Sequence, residues 1–188
     1  MFEELLSVFR SSDPLRAMAK NFEEMLALTR EMTTAAGDMF FSGGTTPQAR
    51  TELYARDVRV NQLQREIRKQ VVAHLSLSGH RPDVPHSLLL VSLVKDVERI
   101  GDYAKNPAEV TDIRPGPPPD DEITAELLEI RREVEGAFAA LLTVFGTSNR
   151  AHAVEVIRRG GTRRTGATCS SPASPGARTT RARRRRWS

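Results

Sequence analysis

From Leu15 to Met39 buried-type side chains return every third or fourth residue: Leu15, Met18, Phe22, Met25, Met32, Ala36 and Met39, with Thr29 holding one place in the series. That alternation is the seam of a long helix packed in a bundle. Asp13-Pro14 offers an N-cap and a proline at the first helical position, and Gly43-Gly44 with Pro47 stops the helix. The pattern predicts a helix over 13–41. A second helix is expected from about 47 to 76. Its apolar side is Leu53, Val60, Leu63, Ile67, Val71 and His74, opposite Arg56, Arg59, Arg65, Arg68 and Lys69. Gly79, Pro82 and Pro85 make the next segment a turn. A third helix, about 86–113, opens on the run SLLLVSLV, which is apolar all round and predicts deep packing, and turns polar at Asp96. The run RPGPPPDD is a stiff linker. Asp120 or Asp121 then caps a fourth helix, about 121–146, with the seam Ile123, Leu127, Ile130, Val134, Phe138, Leu141 and Val144/Phe145. No strand candidate is present, so the expected class is all-α: an antiparallel three-helix bundle with a fourth helix beyond it.

A weak repeat runs through this pattern. Residues 13–41 and 121–145 both begin at Asp and end in Phe, and each leads through a Gly/Thr/Ser turn into an Ala-rich helix start. The second copy loses its helical pattern near Gly160-Gly161. The expected organisation is a short amphipathic segment (1–12), a three-helix unit (13–113), a Pro-rich linker (114–120), the start of a second unit (121–159) and a disordered Arg-rich tail (160–188).

Composition changes the picture in two places. The formal net charge is +4, yet residues 160–188 hold eight arginines and no acidic residue, leaving 20 basic against 24 acidic groups in residues 1–159. The body of the protein is therefore mildly acidic. The tail could cling to polyanions through counterion release, but with one aromatic, Trp187, and no recognition signature it predicts no specific nucleic-acid binding. A lone cysteine, Cys169, leaves no intramolecular disulfide and no Cys-cluster metal site. The longest apolar run, 87–94, is far too short to span a bilayer, and Glu3 and Glu4 stand where a signal peptide wants positive charge. A cytoplasmic protein is expected, reaching membranes only through partners.

Candidate chemistry concentrates in VKDVERIGDYAKNPAEV, residues 94–110. Glu98 and Asp102 are four apart and stack on one helix face, which Asn106 extends. On the preceding helix Asp57 and Asn61 repeat that spacing. Two oxygen-rich patches on antiparallel neighbours could meet, and such ligands suit divalent or ferric ions. Acids at that spacing are also what an ordinary solvated face looks like, with Asp96, Arg99 and Lys105 as surface pairs. No Glu is followed three residues later by His, as a carboxylate-bridged di-iron bundle requires. No triad, P-loop or dinucleotide fingerprint is present either, so an enzyme is not expected.

The segment 94–110 resembles the signature of the PhoU family of phosphate-signalling proteins, matching it in register at Asp96, Glu98, Arg99, Ile100, Gly101, Asp102, Ala104, Asn106, Ala108 and Glu109. ARDVRVNQLQREI, residues 55–67, is similar to the family's other signature. The resemblance implies a three-helix unit, usually present twice, bearing metal clusters on acidic motifs. Carried over, Glu98 and Asp102 fill one motif, Asp57 the first place of the other, and Asn61 stands where a second Asp is common. Tyr103 replaces a frequent His, and Pro107 interrupts the helix. The implied cofactor is a divalent or ferric ion, iron or zinc, with Arg99 neutralising the patch when no ion is bound. The implied work is regulation of phosphate uptake by contact with a phosphate transporter, a sensor histidine kinase, or both. Only one motif pair is present. A homodimer would supply a second, and a shifted reading frame or truncated gene would explain the arginine tail. The alternative is a helical adaptor without metal whose tail binds nucleic acid or membrane nonspecifically.

Overall fold

The computed structural model describes residues 13–76, 83–114 and 116–147, which fold into four α-helices with no strand among them. They are α1 (Asp13–Ser42), α2 (Pro47–Leu75), α3 (Val84–Ile113) and α4 (Glu122–Thr147). The segment 1–12, most of the turn before α3, and everything expected of 148–159 and of the tail lie outside the described residues.

The caps explain where the helices begin. The Thr46 hydroxyl accepts from the main-chain N–H of Ala49 at 3.1 Å, with Pro47 at the first position of α2. Asp121 Oδ1 accepts from Thr124 N at 2.8 Å and starts α4. At the far end of α1, Gly43 takes the left-handed conformation, with φ 75°. Its carbonyl accepts from Gly116 N at 2.8 Å, so the linker after α3 folds back over the α1–α2 turn.

α1 is the central helix. It packs on α3, α2 and α4 in decreasing order of extent. Its expected seam is wholly buried, and Ala19 and Leu26 join it, so the buried arc is broader than a seam alone. Thr29 is tolerated there because its hydroxyl donates to the Met25 carbonyl at 2.9 Å. The six residues expected on the inner side of α2 are all buried. His74 among them faces Asp83, with Nε2 2.8 Å from Oδ2. Pairs along α2 and α3 (Arg50 with Asp112, Tyr54 with Glu109, Asp57 with Lys105) fix an antiparallel register.

Two expectations about faces need correction. The opening of α3 is not buried all round: Ser87, Leu90 and Val94 are, while Leu88 is 59% exposed. Among the described residues α1 and α2 pack most extensively on this helix, and Leu88 lies on a side they leave open. The seam of α4 is buried in its second half alone. Phe138, Val144 and Phe145 sit in the core, Phe145 meeting the Phe22 ring edge-on at 5.2 Å. Ile123, Leu127, Ile130 and Val134 are exposed. Arg131 explains the divide. It reaches over the Phe41 ring to Asp38, 2.5 Å away, and to Glu135 at 2.8 Å, which attaches this half of α4 to α1 by polar contacts. Between α4 and α3 an apolar groove of about 460 Å³ stays open, walled by Ile100, Tyr103, Val110, Leu127, Ile130 and Val134.

Candidate functional site

The two signature segments face each other on α2 and α3. Starting from the turn end, Arg50 Nη1 and Nη2 donate to the two oxygens of Asp112 at 2.6 and 2.7 Å, and Nη2 also donates to the Ala108 carbonyl. Tyr54 Oη donates to Glu109 Oε1 at 3.1 Å. Burial and that bond to a carboxylate both raise the Tyr54 phenol above its ordinary value. One turn further, Lys105 Nζ lies 2.9 Å from Asp102 Oδ1 and 3.2 Å from Asp57 Oδ2. Asp57 is the better buried carboxylate, its side chain 14% exposed against 45% for Asp102. Burial would lower the lysine. The hydrogen bonds from Asp102 and Asp57 and their charges outweigh it, so Lys105 is held above the ordinary range.

Of the five residues expected to hold a metal, the structure brings two together. Asp57 and Asp102 converge, through Lys105. Asn61 is half-buried beside them but turns its amide back along α2, donating to the Asp57 carbonyl at 3.1 Å. Glu98 belongs to a different level. At the register set by Asp57 and Lys105 it stands opposite the region of Gln64, about seven residues or roughly 10 Å along α2 from Asp57. Asn106 is exposed and lines the groove toward α4. Each i, i+4 step rotates about 40° around a helix, so a third residue on the Glu98–Asp102 line has turned toward another side. Among the described residues no group of three or more His, Cys, Asp or Glu side chains is gathered to hold an ion. As arranged, then, these residues do not fit a bound metal: two carboxylates converge, and an ammonium lies between them.

Arg99 lies away from Asp57 and Asp102, although its charge interacts with Asp96 and Glu98. Its Nη2 donates to Tyr103 Oη at 3.1 Å, and the guanidinium lies over the Tyr103 ring on the outer face of α3. Lys105 does the neutralising. The sequence contains the signal for it: Lys105 is three residues after Asp102, and antiparallel pairing of the two signature helices sets it across from Asp57. The open groove is the other feature that helical periodicity did not reveal.

The match to known families coincides with this geometry. The PhoU domain model aligns with residues 22–111, which includes both signature segments and most of α1, α2 and α3. Residues 22–111 form a PhoU domain. Neither the curated proteins nor the solved structures return a match to the chain. The PhoU domain here is one three-helix unit. α4 leans on its α1 from outside the matched span.

Proposed function

We propose that this protein regulates phosphate uptake and phosphate signalling by contact, damping a phosphate transporter, its sensor histidine kinase, or both. The observation that carries this reading is the PhoU domain over residues 22–111, with both of the family's signature segments paired on α2 and α3. The character of the site agrees with a contact role. Across α2 and α3, Asp57, Asp102, Glu109 and Asp112 pair with Lys105, Tyr54 and Arg50, which clamps the two helices together. No described helix is long and apolar enough to cross a membrane.

The test is affinity capture of the tagged full chain from phosphate-replete and phosphate-starved bacterial cells. The reading expects a phosphate-transporter subunit or a histidine kinase to be enriched from replete cells. Enrichment of neither, under both conditions, would contradict it.

A further inference from the structure

The carboxylates that the sequence marks for a cation already hold one that belongs to the chain. Lys105 Nζ lies within hydrogen-bonding distance of Asp57 on α2 and Asp102 on α3, at 3.2 and 2.9 Å. An ammonium brings three donors and one positive charge. A metal ion would need more ligands than two carboxylates supply, about four for zinc and roughly six to eight for calcium, at about 2.0–2.6 Å. The residues expected to complete such a shell are turned elsewhere: Asn61 onto its own helix and Asn106 into the groove, with Glu98 at another level of α3. The lysine is built in from both sides. Its own helix presents Asp102 one turn before it, and the register fixed by Arg50–Asp112 and Tyr54–Glu109 delivers Asp57 across from it.

We propose that Lys105 is an internal counter-ion occupying the place between α2 and α3 where a bound cation would sit, so that this PhoU domain closes its helix pair without metal. The proposal rests on the domain assignment and on this geometry, and is independent of what the protein regulates. Lys105 removes the repulsion between Asp57 and Asp102 that a metal would otherwise have to remove. It also makes closure of the pair indifferent to metal supply.

The experiment uses the full chain, purified without added metal, with metal content measured and melting followed by circular dichroism with and without EDTA. The wild type is expected to carry far less than one metal ion per chain and to melt at the same temperature in EDTA. Lys105→Met, which keeps the apolar stem and removes the charge, is expected to melt lower by roughly 2–6 °C for a chain of this size. Lys105→Arg should retain most of the stability. Adding Asp57→Asn to Lys105→Met should recover part of the loss, because it removes one of two facing like charges; a strictly additive further loss would overturn the counter-ion role. Stoichiometric metal in the wild type, or a lower melting temperature in EDTA, would overturn the proposal outright. So would a Lys105→Met variant that melts like the wild type. If Lys105→Met does not fold, the wild type and Lys105→Arg in EDTA decide: unchanged melting supports the proposal and a fall contradicts it.

Discussion

Gly101 on α3 faces α1 and α2, and a Cβ placed on it would meet Thr29 Oγ1 and Val60 Cγ1 at 3.7 Å and Met32 Cε at 3.8 Å. Those are ordinary contact distances, so the site has room for one methyl group and no more. Glycine inside a helix costs backbone entropy that alanine does not. Gly101→Ala should therefore raise stability by roughly 0.5–1 kcal/mol, while Gly101→Leu, which overpacks the same spot, should cost about 1–3 kcal/mol. Urea unfolding of the two variants checks both signs. Asp121 makes a prediction in pH. Its bond to Thr124 N at the start of α4 lowers its carboxyl below the ordinary 3.8. A lowered folded value means that the cap contributes fully above the unfolded value and is lost as pH falls through the folded one. The melting difference between wild type and Asp121→Ala should stay constant from about pH 7 to pH 5. It should shrink below pH 3.8. A difference independent of pH down to acid unfolding would show that the charge plays no part. At this scale the sequence was legible where a residue's role is set by its own helix, as with the caps and the seam positions. It misled where the role depends on a partner across helices. Arg99 and Lys105 look alike along the chain, and only the α2–α3 register sends Lys105 inward and Arg99 out.

The four helices lie within about two residues of where periodicity, proline and glycine place them, because start and stop signals are local. Which faces are buried is not local. α1 carries a 3,4 seam and buries more than the seam, since helices cover it on several sides. α4 carries an equally good seam and buries half of it. The apolar period records what a helix can bury, and the number of neighbours decides what it does bury. One helix should therefore respond to truncation in two ways. Phe145→Ala removes a buried ring packed edge-on against Phe22 and should cost about 3–5 kcal/mol. Ile130→Ala, at a position 54% exposed, should stay within about 0.5 kcal/mol. Equal losses from the two variants in denaturant titrations would mean that the first half of α4 is covered in solution.

For the molecule as a whole, one apolar core joins α1, α2, α3 and the end of α4. Ion pairs and one hydrogen bond form a ladder along the α2–α3 edge, to which the signature segments contribute Asp57, Asp102, Lys105 and Glu109. That ladder uses Asp57 and Asp102, whose spacing along the chain reads first as a solvated face and, through the resemblance, as metal ligands. The structure selects a third use for them, as the seat of an internal lysine. The match to the PhoU domain was legible through the two signature segments and their order along the chain, and no feature of composition or charge would have led to it. The most direct test of the account is the rate of phosphate uptake in phosphate-replete bacterial cells that lack their own PhoU regulator. Expression of the full chain should lower uptake relative to the empty vector, and Lys105→Arg should do so equally well. Uptake at the empty-vector rate, with the folded protein present at a normal level, would contradict the proposed role.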